Sequence, residues 1–192
     1  MKQNEIETFT PNSANDWRQW LKKNHASKES VWLILYKKDT GYPYIAWTEA
    51  VDEALCYGWV DSKRQSIDDV SFRQFFCRRK PNSIWSKINK EKIDRLVKSG
   101  KIRKAGLEAV ERAKENGSWS ILDDVEAMKI PKDLEKAFRA HSGSKKFYQA
   151  QTKSIQKMML GWIALAKRED TRQKRIEEIT SLAAQGKKPK QF

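Results

Sequence analysis

The chain has 192 residues, 39 Lys/Arg against 25 Asp/Glu, and a formal net charge of +14, with 39% hydrophobic and 10% aromatic residues. Eight tryptophans exclude general disorder, and two cysteines exclude a disulfide framework. The longest apolar run, Met158 to Ala166, is too short for a bilayer span, which takes about 20 residues.

In chain order, MKQNEIETFT has no apolar stretch of the kind an export signal carries, so a cytoplasmic protein with reduced thiols is expected. Residues 1–12 are expected to be flexible. SANDWRQWLKKNH predicts a short helix capped by Ser13 or Asn15, with Trp17, Trp20 and Leu21 on one face. ESVWLILYKK predicts a strand covered on both faces, because its apolar run is continuous. TEAVDEALCYG predicts a helix with Thr48 as cap and Gly58 as its stop. WVDSKRQSI and SFRQFFCRR predict an antiparallel hairpin turned by DDV.

From Pro81 the pattern is helical. NSIWSKINKEKIDRLVKSG is expected to be capped by Asn82 or Ser83, with Ile84, Ile88, Leu96 and Val97 among its apolar positions. A second helix ends at Gly117, SWSILDDVEAMKI connects, and Pro131 opens a third. A long helix is expected from about Ser144 to Lys167, internal because its centre is apolar all round. A last helix ends at Gly186, and the tail KKPKQF is expected to fray. The fold class is therefore α+β: a small antiparallel sheet of about three strands packed by helices, then a helical C-terminal half. One domain is expected over 13–186, mixed over 13–80 and mainly helical over 81–186, with a basic tail at 187–192.

The charge is uneven. Residues 73–104 carry 12 Lys/Arg and 2 acids, and residues 144–192 carry 12 and 4. Such segments suit an anionic small molecule, an acidic partner or nucleic acid, and they equally suit plain solubility.

Three stretches carry candidate chemistry. In FCRRKPNSIWSKIN a strand ends in Arg78, Arg79 and Lys80, and a helix start carries Ser83, Ser86 and Asn89 beside Trp85. Helix N-termini and adjacent arginines hold phosphate or carboxylate; the same residues also serve as caps, solvated strand end and core. In AKREDTRQKR, Lys167, Arg168, Arg172 and Arg175 cluster at a helix junction, where they either face a ligand or pair with Glu169, Asp170, Glu177 and Glu178. In EALCYGWVDS, Trp59 and Asp61 share a strand face, and a buried Asp61 would need a partner, an arginine of the returning strand being the natural one. Cys56 reads as a small buried thiol more readily than as a nucleophile. His25 and His141 have no metal-ligand spacing around them, and no cofactor or metal is expected.

ALCYGWVD, RRKPNSIWSKIN and AKREDTRQKRI together resemble the signature blocks of the YdeI/OmpD-associated, bacteriocin-protection family, over about Trp17 to Ala184. Where the family usually has Thr-Pro-Arg, this chain has Cys77-Arg78-Arg79 after Phe76, so a hydroxyl role at that point is lost. The resemblance implies a resistance accessory without an assigned catalytic residue, and one site formed by the matched positions. The expected function is a stress or resistance accessory that binds an anionic ligand. Its site residues are Trp59, Asp61, Arg79, Lys80, Ser83, Trp85, Ser86, Asn89, Lys167, Arg172 and Arg175. The alternatives are nucleic-acid binding through the two basic segments and an enzyme using Cys56 or Asp61.

Overall fold

The computed structural model describes residues 6–192. The chain divides into two compact units, Met1–Trp119 and Ser120–Phe192. Among the described residues no helix is long and apolar enough to cross a membrane.

The first unit is a four-stranded sheet with helices, in the order β1 (Thr8–Phe9), α1 (Ala14–Asn24), β2 (Ser30–Tyr36), α2 (Trp47–Cys56), β3 (Trp59–Ser66), β4 (Ser71–Arg78), α3 (Lys87–Lys98) and α4 (Lys104–Glu115). Spatially the strands run β1-β2-β4-β3. The hairpin β3–β4 and the pair β2–β4 are antiparallel, as expected. The fourth strand is the correction: Thr8–Phe9 pairs in parallel with Trp32–Leu33, inside the stretch expected to be flexible. Two residues are too few for any periodicity to show, and residues 1–5 of that stretch lie outside the described residues.

The strand β2 is covered on one face, not two. Val31, Leu33 and Leu35 are buried, while Trp32, Ile34 and Tyr36 are half-buried. The inner face packs on α1 and α2, where Trp17, Trp20 and Leu21 are buried as their spacing predicts. The Trp17 indole donates to Ala50 O at 3.0 Å, so this core ring brings no unsatisfied N–H with it. Caps are shifted from expectation. Glu49 reaches back to the Ala46 N–H at 3.0 Å, so α2 begins before Thr48, and Ser86, not Asn82 or Ser83, caps α3 by accepting from Asn89 N. Ile84, Ile88 and Val97 are consequently exposed, and Ile93 and Leu96 form the buried stripe of α3.

Gly58 ends the α2 segment at φ +73°, and a Cβ there would lie 2.8 Å from Ala105 O. A Cβ on Gly106 would lie 2.5 Å from Cys56 O. The two glycines thus let the start of α4 press on the end of α2, with Arg103 N donating to Cys56 O at 3.0 Å.

The second unit is helical: α5 (Asp123–Glu126), α6 (Lys132–Ala140), α7 (Ser144–Gln149), α8 (Lys153–Ala164) and α9 (Glu169–Ala184). Its core gathers Val125, Leu134, Phe138, Tyr148, Met159, Leu160, Ile163, Ile176 and Ile179. The long helix expected over 144–167 is two helices. Thr152 caps the second by accepting from Ile155 N, which favours a new start over continuation. The centre of α8 is not internal on all sides, since Met158 is exposed. The tail folds back: Pro189 is buried, and Phe192 packs edge-on against Trp162 at 5.6 Å.

Candidate functional site

The strand β4 runs out at Arg78, and Arg79 is drawn inward by its own backbone, whose N–H donates to Gly58 O at 3.0 Å. The corner after α2 and the arginine-rich strand end are therefore joined. The chain then turns over Lys80–Ser83, with Ser83 N donating to Lys80 O and Asn116 Nδ2 donating to Pro81 O. Trp85 follows and is 1% exposed.

The Arg79 guanidinium lies over the Trp85 ring, 3.7 Å from its centre, and is 6% exposed. Nη1 donates to Ile84 O at 3.0 Å. Nε and Nη2, and the Trp85 Nε1, are buried without a hydrogen-bond partner among the described residues. Burial lowers the Arg79 pKa to about 10, with the nearby Cys77 and Asp61 pulling back the other way. The group remains a cation at neutral pH. Trp119 packs against Trp85 at 5.0 Å and carries Lys90 and Lys114 at 5.3 and 5.5 Å, extending the layer of rings and cations.

Asp61 faces this layer from β3. Its expected arginine partner is replaced by two neutral donors: Trp47 Nε1 at 3.2 Å and Gln74 Nε2 at 3.3 Å both donate to Oδ2. Burial pushes its pKa up, against the Trp47 hydrogen bond and the charges of Arg79 and Lys92. Asp61 thus offers Arg79 a field without a direct ion pair. Trp59 is a fully buried core ring whose indole donates to His25 O at 3.2 Å. Lys80 and Ser86 are exposed, and Ser83 and Asn89 are half-buried around the turn and the start of α3.

Lys167, Arg172 and Arg175 belong to the second unit. Lys167 is exposed. Arg172 makes a two-pronged pair with Asp133 at 2.6 and 3.0 Å, and lines a cleft of about 470 Å³ with Lys129, Lys132, Leu160 and Ile163. Burial raises the Asp133 pKa, but the Arg172 hydrogen bond, the Leu134 N–H and the Arg172 charge more than reverse this, and the net direction is down. Arg175 donates to Trp162 O and sits 5.2 Å from that ring's centre. Of the acids named as partners in the sequence, Asp170 takes Arg168 and Glu177 takes His141.

Sequence reasoning passed over Trp47, Gln74 and Trp119. Their contacts join residues 13 to 34 positions apart, and no local pattern announces them. It also passed over a cleft of about 420 Å³ lined by Arg18, Lys22, His25, Tyr57, Arg103 and Lys104, gathered from separate segments of the first unit. Cys56 is fully buried, and burial raises its thiol pKa, as does the charge of Glu53; Arg18 opposes this. Among the described residues no group of three His, Cys, Asp or Glu is placed to hold a metal ion.

Residues 9–109, more than half of the chain, match the family model described as a domain of unknown function, DUF8412. The chain belongs to this family. Residues 127–186 match the model described as Bacteriocin-protection, YdeI or OmpD-Associated. The second unit of this DUF8412 member therefore carries the YdeI/OmpD-associated domain. The resemblance expected from sequence is found, and of the three blocks that suggested it AKREDTRQKRI lies within that match; the other two fall in the DUF8412 region. No curated protein and no solved structure matches the chain.

Proposed function

We propose that the chain is a non-enzymatic, cytosolic stress or resistance accessory that binds a small anion bearing phosphate or carboxylate, with Arg79 at the centre of its site. The observation that carries this reading is the Arg79 guanidinium, buried over Trp85 with two of its nitrogens, Nε and Nη2, left unbonded. A buried charge is costly unless an opposite charge or hydrogen bonds compensate it. A bare guanidinium edge is the complement of an oxyanion. Lys80, Ser83, Trp85, Ser86 and Asn89 surround it in sequence, Asp61 orients its field, and Trp59 supports the corner. Lys167, Arg172 and Arg175 enter the proposal as a separate basic cluster of the YdeI/OmpD-associated domain. The bacteriocin-protection description of that domain supports the resistance role. The burial of Cys56 speaks against thiol catalysis.

The test is thermal melting with phosphate, sulfate and small dicarboxylates at constant ionic strength, on the parent chain and on Arg79→Met. At about 100 times Kd a ligand contributes about 2.7 kcal/mol, or roughly 5–10 °C in a chain of this size. The parent should show such a rise and the variant none. Equal shifts in both would remove Arg79 from the site.

A further inference from the structure

Buried polar atoms without a hydrogen-bond partner are unevenly placed in this chain. Among the described residues Tyr148 Oη is the one such side-chain atom of the second unit, and the rest belong to Arg78, Arg79, Trp85 and Ser118. Ser118 is 7% exposed. It stands on the turn that follows α4, between two contacts that tie this turn to the one after β4. Asn116 Nδ2 donates to Pro81 O at 2.9 Å and to Asn82 Oδ1 at 3.3 Å, and Trp119 packs on Trp85. The Ser118 N–H donates to Asn116 Oδ1 at 3.0 Å, and its hydroxyl is the group left over. Folded proteins pair nearly all their buried polar atoms, so a cluster of exceptions calls for a guest that pairs them.

The unpaired groups lie on different levels. Arg79 Nε and Nη2 share one edge of the planar guanidinium, while Nη1 holds Ile84 O. That edge gives two parallel N–H bonds to two oxygens in the guanidinium plane. Trp85 Nε1 belongs to the ring beneath, whose centre is 3.7 Å from the guanidinium carbon, and Ser118 Oγ belongs to the neighbouring turn. A carboxylate has two oxygens in one plane, and the Arg79 edge occupies both. A tetrahedral oxyanion on the same edge keeps further oxygens out of that plane, as acceptors for an indole N–H and a hydroxyl. We infer that the site selects a tetrahedral oxyanion, phosphate or a phosphate monoester, over a carboxylate, with Trp85 Nε1 and Ser118 Oγ as the selecting groups, an inference that rests on the anion reading of Arg79 and narrows its ligand. Lys80, Pro81, Asn82, Asn116 and Gly117 are exposed, so the anion enters between two surface turns that Asn116 joins.

The experiment is isothermal titration of the full chain with sulfate, inorganic phosphate, glycerol phosphate and malonate. Ionic strength is constant and the pH is one at which all four are dianions, so charge is equal and shape differs. The variants are Ser118→Ala, which removes a hydroxyl the fold leaves unpaired and should melt with the parent, and Trp85→Phe, which keeps a ring under Arg79. The parent should bind the tetrahedral anions on the order of tenfold tighter than malonate. Each variant should lose on the order of tenfold for them and leave malonate unchanged, because hydrogen bonds to charged groups contribute that much. Tighter binding of glycerol phosphate than of inorganic phosphate marks the ester as the occupant, and the reverse marks the free ion; both support the inference. A parent that binds malonate as tightly as sulfate overturns it, and so does Ser118→Ala with an unchanged preference; either result leaves Arg79 as an anion site. No binding of any of the four overturns the Arg79 reading and the selectivity together.

Discussion

Arg79 and Trp85 form a buried cation–ring stack, 3.7 Å from guanidinium to ring centre, in which the arginine gives one hydrogen bond to the chain and keeps two nitrogens, Nε and Nη2, idle. A residue selected for stability would not be built this way, because an apolar side chain of similar length gives the same packing without desolvating a charge. Arg79→Met should therefore melt within about 1 kcal/mol of the parent, or 2–4 °C, while Trp85→Ala should cost about 3–5 kcal/mol. Denaturant melts of the three proteins decide it. A large loss in Arg79→Met would mean that the guanidinium is structural.

Asp61 answers to pH in the opposite sense from a salt-bridged acid. Its folded pKa is raised, first by burial, so the fold prefers the protonated carboxyl. Its contribution to stability is fully present below the unfolded value of about 3.9 and is lost as pH rises through the folded value. Asp61→Asn keeps an acceptor for Trp47 and Gln74 and removes the charge. It should be more stable than the parent at pH 7, with the difference closing toward pH 3. Melts across that range that keep a constant difference would show that the Trp47 contact, and not the charge, sets the balance.

The hairpin, the Trp17–Trp20–Leu21 stripe and the Gly58 stop were legible because each is a local pattern: a period, a turn, a residue that tolerates positive φ. The join between the corner and the strand end was half legible. Both blocks stood out by their residue types, but the Arg79 N–H to Gly58 O bond that unites them is a matter of where β4 ends. Asp61's partners were not legible, since any donor of the right reach satisfies a carboxylate and a sequence cannot choose between an arginine and the pair Trp47 and Gln74. The break at Ala150–Thr152 was missed because the residues on either side keep helical character, and a threonine cap competes with continuation by a small margin.

Asp133 and Arg172 hold α6 to α9 in the YdeI/OmpD-associated domain. The net lowering of the Asp133 pKa means that this stabilisation is present above the unfolded value and is lost as pH falls through the folded one. Arg172→Ala should cost about 1.5–3 kcal/mol at pH 7, as hydrogen bonds to charged groups do, and nearly nothing at pH 2. Thermal melts at the two pH values check this. A cost that does not change with pH would assign the loss to the packing of the arginine stem and its bond to Ile163 O.

Two helical glycines should respond to alanine in opposite directions. At Gly106 the new Cβ would meet Cys56 O at 2.5 Å, a backbone atom that cannot move without parting α4 from α2. At Gly161 the nearest atom is Val125 Cγ1 at 3.8 Å, which is ordinary contact. Gly161→Ala should stabilise by about 0.4–1 kcal/mol through the unfolded chain. Gly106→Ala should destabilise by more than this. Equal effects in paired denaturant melts would show that the α2–α4 contact is more compliant than its geometry implies.

The two thiols separate the enzyme alternative from a structural one. Cys56 is fully buried, and Cys77 is half-buried on the outer face of β4. Burial raises both thiol pKa values, so neither is a thiolate at neutral pH, and access becomes the difference between them. Alkylation of the native chain by iodoacetamide, read by peptide mass spectrometry, should label Cys77 slowly and leave Cys56 unmodified until denaturant is added. Rapid labelling of Cys56 in the native state would mean that the corner opens to solvent. It would also revive the thiol as a reacting group beside Arg18, which already counters the effect of burial there.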